Sequence, residues 1–176
     1  NEPIRQRMVP YYLLVFACLF GFATSHPRHG NLAGNIRATQ SSLADFLGDA
    51  ENAIDGNDMT DPTKGSCSRT RVESSPWWRL DFHYHYRIYK VKITTSSDKG
   101  LEGANIHVGD CLKNNGTNNK ICASNISIAP GQSQLVNCND IGVHGVFLTI
   151  TTPGNGKCIS LCEVEAYGTH EPHNDI

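Results

Sequence analysis

Apolar residues in this chain recur at every second position over short stretches. Trp78, Leu80 and Phe82 fall on one face of such a stretch, and Trp77, Arg79 and Asp81 on the other. A period of two is that of a half-buried β-strand, whose side chains alternate between two faces. Tyr89, Val91 and Ile93 alternate with Lys90 and Lys92, Ile106 and Val108 flank His107, and Val146, Leu148 and Ile150 alternate with Phe147 and Thr149. Each run is bounded by Gly, Pro, Asn, Asp or Ser, which turn the chain. Only Ala50–Ile54, stopped by Gly56, has room for a helical turn. The pattern predicts an all-β fold, an antiparallel β-sandwich or jelly roll with one or two short helical turns. One tryptophan of the pair Trp77 and Trp78 must then face the core, and packing outweighs sugar stacking as their expected role. Lys113 to Lys120 reads as an exposed connection, and His26–Asn31 and Thr169–Ile176 as frayed ends.

The first residues change the picture of where the domain starts. Met8 opens the apolar run Val9–Phe20, and Ala23-Thr24-Ser25 supplies the small residues of a cleavage site. This predicts a secretory signal peptide ending at Ser25, with Asn1–Arg7 as upstream sequence. The run is shorter than the roughly 20 apolar residues of a membrane anchor. The expectation is therefore a secreted, extracellular protein with no membrane insertion and a single domain over 26–176, the size of one ordinary core.

Cys18 lies in the leader, which leaves Cys67, Cys111, Cys122, Cys138, Cys158 and Cys162. An even count in a secreted chain reads as three disulfides, with about 15 pairings open on sequence alone. Asn115-Gly116-Thr117 and Asn125-Ile126-Ser127 are candidate N-glycosylation sites, at Asn115 and Asn125. The 15 Lys and Arg are scattered among 17 Asp and Glu, so no basic block marks a nucleic-acid partner. No G-x-S-x-G elbow, H-E-x-x-H helix or phosphate-binding glycine loop occurs, and no enzyme is expected. His83 and His85, two apart, can titrate or bind a metal, but such a pair on a strand is more often solvated surface.

One segment has the chemistry of a hard cation site. Asn52-Ala53-Ile54-Asp55-Gly56-Asn57 offers a carboxylate and several carbonyls around a glycine that permits a sharp turn, and Cys162-Glu163-Val164-Glu165 adds carboxylates near the other end of the chain. Calcium takes about six to eight oxygens of this kind. Taken alone, Asp-Gly-Asn is more often a plain turn.

Four segments occur in order: Asn52–Asn57, Gly65-Ser66-Cys67, Pro76-Trp77-Trp78-Arg79-Leu80-Asp81 and Leu161-Cys162-Glu163-Val164-Glu165. In these the chain, from Asn31 to Tyr167, resembles the F-type lectins, the eel fucolectin family. The resemblance implies a discoidin-like antiparallel jelly roll with one calcium under a sugar-binding rim. It implies calcium ligands from the carbonyls of Asn52, Asn57, Ser66 and Cys162 and the side chains of Asp55, Ser66 and Glu163. It also implies disulfides Cys67–Cys162 and Cys122–Cys138, after which Cys111 and Cys158 are left to pair by arithmetic.

In the family's sugar-binding pattern a His precedes Arg-x-Asp and a further basic residue. Arg69 stands at the His position, Ser96-Ser97-Asp98 at Arg-x-Asp, and Lys99 can serve as the last basic residue if the shorter segment that follows is gapped. Asp61-Pro62-Thr63-Lys64 lacks the aromatic that relatives place against the sugar's methyl. Serine cannot replace the fork of an arginine. Two outcomes stay open. One is a calcium-dependent lectin for fucosylated or related microbial and host surface glycans in innate defence, with Arg69, Ser96, Asp98 and Lys99 as contacts and homo-oligomers raising avidity. The other is a calcium-stapled interaction module that has lost sugar binding.

Overall fold

The computed structural model describes residues 30–34 and 36–171. The predicted leader and residues 26–29 lie outside the described residues. Its longest element is β3, Trp77–Thr95, and every other strand is arranged around it. The remaining strands are β1 (Arg37–Gln40), β2 (Ser68–Arg69), β4 (Leu101–Gly109), β5 (Lys120–Ile128), β6 (Ser133–Asn137), β7 (Val143–Thr151) and β8 (Ser160–His170). Three short 3-10 turns, Ala50–Ala53, Pro62–Lys64 and Lys113–Gly116, interrupt the loops.

All pairings are antiparallel, in the order β2-β8-β3-β7-β4-β5, with β1 and β6 also on β3. The first half of β3 lies between β1 and β7, and the second between β8 and β6. The register breaks between Asp81 and Tyr86, where His83 takes a φ of 60°. The sheet thus folds over at this point into two layers around a common core, the jelly-roll sandwich that the strand periodicity predicts. Trp78, Leu80, Ile106, Val108, Leu148 and Ile150 are fully buried in it. Trp78 also donates from Nε1 to Ala50 O at 3.0 Å, which seats the first 3-10 turn on the core. Trp77 lies half-buried on the other face beneath the Arg79 guanidinium, 4.6 Å from its ring centroid.

Several expectations need correcting. A bulge between Ile88 and Lys90 shifts the phase of β3, so Ile88 is buried and Tyr89 turns partly outward. His83 and His85 both lie within the break and meet different carboxylates, Asp81 at 3.5 Å and Asp110 at 3.4 Å. The ends are tied down further than their polarity suggests. Asn31 accepts from Ala33 N and Ala166 N, Thr169 and His170 pair with Arg87 and Tyr86, and Glu171 is salt-bridged to Arg87 and contacts the His144 ring.

Cys67–Cys162 and Cys122–Cys138 are bonded, whereas Cys111 and Cys158 are not. The reason is geometric. Cys158 adjoins Lys157, whose ammonium meets Glu102 at the start of β4, while Cys111 lies beyond the other end of that strand. At about 3.3 Å per residue the two are on the order of 20 Å apart, far outside disulfide reach.

Candidate functional site

Two groups of residues meet at one end of the sandwich. The first is built on β8. Cys162 sits in a register break, since Thr94 pairs with Glu163 and Thr95 with Leu161; a bulge residue of this kind is left out of the ladder. The disulfide to Cys67 holds Ser66 alongside, and Ser66 Oγ donates to Asp61 O at 2.6 Å. Glu163 Oε2 accepts from Gly56 N at 3.2 Å, which docks the 52–57 loop onto β8. Asp55 Oδ1 accepts from Asn57 N at 2.8 Å, and Asn52 Nδ2 donates to Leu47 O at 2.6 Å. All six residues that the resemblance implies as ligands therefore belong to one cross-linked corner.

Its electrostatics invite a cation. Glu163 is only 4% exposed. Burial, and then the negative charge of Asp55, push its carboxyl up from 4.5 to about 7, with Glu165 adding to the repulsion. Among the described residues no group of three or more His, Cys, Asp or Glu is placed to hold a metal, so any cation here must draw on carbonyl and hydroxyl oxygens as well. That donor set fits calcium rather than a transition metal.

The second group is the rim. Ser96–Lys99 forms a tight turn, with Lys99 N donating to Ser96 O at 3.2 Å, and Ser97 N hangs it from Thr60 O at 2.7 Å. Asp98, at the apex, meets Arg69 Nη2 through Oδ2 at 2.5 Å and Ser96 Oγ through Oδ1 at 2.7 Å. Partial burial acts to raise the Asp98 carboxyl, but the bonds from Arg69 and Ser96 outweigh it and hold it below the usual carboxylate range. Lys99 is half-buried beside it. Ser96, expected among the sugar contacts, is wholly buried; it orients Asp98 instead of facing the rim.

A residue that the sequence reading passed over completes this edge. Arg69 N donates to Gly48 O at 2.8 Å and Arg69 O accepts from Ala44 N at 3.0 Å, so the loop between them is laced to the arginine on both sides. Phe46 lies at its tip, 87% exposed. A phenylalanine within Ala44-Asp45-Phe46-Leu47-Gly48, outside any alternating run, was the signal available. Gly48 is required by proximity, since a Cβ there would stand 2.9 Å from Arg69 Cβ.

Over 142 residues the chain is 37% identical to fucolectin-1 of Anguilla japonica, covering 77% of this chain and 79% of that protein. The chain belongs to the fucolectin family of F-type lectins. An F-lectin (fucolectin) from the serum of the striped bass Morone saxatilis superposes with a TM-score of 0.74 at 42% identity, over 79% of this chain and 47% of that one, so the chain spans about half of it. A Streptococcus pneumoniae fucose binding module, SpX-3, matches with a TM-score of 0.65 at 26% identity, over 80% of this chain and 98% of that one. A family model described as "NedA-like, galactose-binding domain" matches residues 52–148. These relatives are lectins and carbohydrate-binding modules, and this fucolectin-family chain is not an enzyme. Among its described residues no helix is long and apolar enough to cross a membrane.

Proposed function

We propose that this chain is a secreted, calcium-dependent lectin that takes a fucosylated or related neutral surface glycan at the rim built from Arg69, Asp98, Lys99 and Phe46. The observation that carries the reading is the Arg69–Asp98 pair, contacting at 2.5 Å, with the Arg69 backbone tied to both ends of the loop that exposes Phe46. A guanidinium has five N–H donors, so those left after the Asp98 contact can serve sugar hydroxyl and ring oxygens, with charge-assisted strength. Phe46 supplies an apolar face for a sugar's methyl or C–H surface, in place of the aromatic missing from Asp61–Lys64.

Calcium, when bound, would supply positive charge beside the Glu163 and Asp55 carboxyls, which favours the ionised form of Glu163. Asn52, Asn57, Ser66 and Cys162 would offer further oxygens. The chain's own residues do the rest: the Cys67–Cys162 bridge and the Gly56–Glu163 contact hold the 52–57 loop, and Asn52 reaches from that loop to Leu47 in the segment that presents Phe46. Secretion is supported by the leader pattern at Met8–Ser25 and by the striped bass relative's origin in serum. Use in defence against microbes follows as the role such a glycan reader suits.

The second reading, an interaction module without sugar binding, is favoured by one observation: Arg69 already spends a donor on Asp98 within the chain. A glycan array separates the two. Signal on fucosylated glycans that vanishes on chelation supports the lectin, and silence from a folded, calcium-loaded chain across the array supports the module.

A further inference from the structure

Away from the rim, the outer face of β3 carries a groove of about 830 Å³ whose lining includes Tyr89, Lys90, Lys92, Asn139, Asp140 and Tyr167. Its volume is within the range of roughly 300–1,000 Å³ typical of small-ligand sites. None of its lining residues belongs to the rim: Lys90 and Lys92 lie within β3, which ends at Thr95 before the rim turn at Ser96–Lys99 begins. The groove also has no part in the reading proposed above.

The groove is preformed. Lys90 stands opposite Tyr167 on β8, and Lys92 opposite Glu165. Glu165 accepts both Lys92 Nζ, at 2.6 Å, and the Tyr167 hydroxyl, so three side chains share one arrangement. Tyr89 is turned out of the core by the bulge beside it. It is pressed by Gly142, where a Cβ would come within 2.8 Å of the Tyr89 ring. The loop that carries Asn139 and Asp140 starts at Cys138, anchored by its bond to Cys122.

Its chemistry narrows the ligand. Lys90 and Lys92 are balanced by Asp140 and Glu165, which disfavours a strongly anionic ligand such as a phosphate ester or nucleic acid. Two tyrosine rings ringed by ammonium, amide and carboxylate groups provide apolar faces for C–H surface and both donors and acceptors for hydroxyls. We propose that this groove is a second saccharide site, for a neutral hexose or short neutral oligosaccharide, on the sheet face that continues from the cation corner. One chain would then bridge two glycans, or grip one branched glycan with an effective concentration that exceeds either contact alone.

The test is an amide NMR titration of the isotope-labelled, natively oxidised chain with methyl β-D-galactopyranoside, N-acetyllactosamine and methyl α-L-fucopyranoside. At least one of these should shift the amides of Tyr89, Asn139 and Tyr167 in a saturable way, and equally so in an Arg69→Ala variant. Tyr167→Ala should weaken that response about tenfold, the scale of one well-placed ring contact. Asn139→Ala, which leaves the Tyr167–Glu165–Lys92 network intact, should weaken it a few-fold. A groove response with a silent rim would sink the rim proposal and leave this one standing. The second site is overturned if no sugar moves the groove amides, if a folded Tyr167→Ala variant responds undiminished, or if those amides move with protein concentration alone, which would mean that a second copy covers the groove.

Discussion

The cation corner and the sugar rim are neighbours in space, yet they are held by different means. Glu163 is buried, placed by a strand and clamped by a cystine joining residues 95 apart. Asp98 is half exposed, at 46% of its side-chain surface, and is placed by a four-residue turn and one ion pair. The same contrast appears in their protonation: burial and Asp55 push Glu163 up, while Arg69 and Ser96 hold Asp98 down. A site locked by burial and covalent bonds tolerates little change in its residues. A site presented on loops can exchange its side chains while the scaffold persists, which is how the rim can carry Arg69 and Ser96 in place of the family's pattern.

The largest effect should come from the cross-link itself. In the chain-entropy view, opening Cys67–Cys162, with a separation of 95 residues, with paired alanines removes about 4.7 kcal/mol of stability, whereas opening Cys122–Cys138, with a separation of 16 residues, removes about 3. Urea unfolding of the two double variants measures the difference. Equal losses would mean that the corner is no more dependent on its staple than the groove loop is.

Removing calcium should come next. A ligand present at about 100 times its dissociation constant stabilises the native state by roughly 2.7 kcal/mol, so a chelator should lower the Tm, and Asp55→Ala should abolish that dependence. In the chelated chain the sign with pH is fixed. Glu163 titrates at about 7 when folded against 4.5 when unfolded, so the unfolded chain releases this proton first and stability declines as pH rises from 4.5 to 7. Added calcium, which takes the ionised form, should flatten or reverse that slope. Asp98 runs the other way: its lowered carboxyl contributes stability above the unfolded value of 3.8 that is lost as pH falls further.

Rim variants should alter binding with little change in Tm, which separates the two regions most sharply. Arg69→Ala should reduce glycan affinity about 10- to 100-fold, as loss of a hydrogen-bonding charge costs roughly 1.5–3 kcal/mol. Gly48→Ala should weaken binding less, by displacing Arg69 through its backbone. Phe46→Ala should cost only a few-fold, on the order of 1 kcal/mol, in calorimetric titration of the same glycan. A drop in Tm for Phe46→Ala comparable to that of chelation would break the comparison.

Much of the scaffold was legible in the sequence because burial repeats. Trp78, Leu80 and Phe82 face the core as their alternation requires, and the 3-10 turn forms at Ala50–Ala53 where room was left for it. Local features hid the rest. The bulges in β3 break the period of two, so one 19-residue strand reads as two runs and Tyr89 lands on the wrong face. Arithmetic paired Cys111 with Cys158, but pairing needs proximity, and β4 keeps them apart. Polar composition suggested a loose tail, whereas backbone pairing and the Arg87–Glu171 ion pair hold Thr169–Glu171 in place. At the rim, residue identity indicated which groups can donate, while the burial of Ser96 and the exposure of Phe46 emerge only from the packing.

Calcium calorimetry on the oxidised chain, with Asp55→Ala and Glu163→Gln beside it, tests the account most directly. Saturable binding of one calcium per chain, lost in both variants, is the expected result. A folded chain that takes up no calcium at millimolar concentration, or variants that bind it as well as the parent, would contradict it.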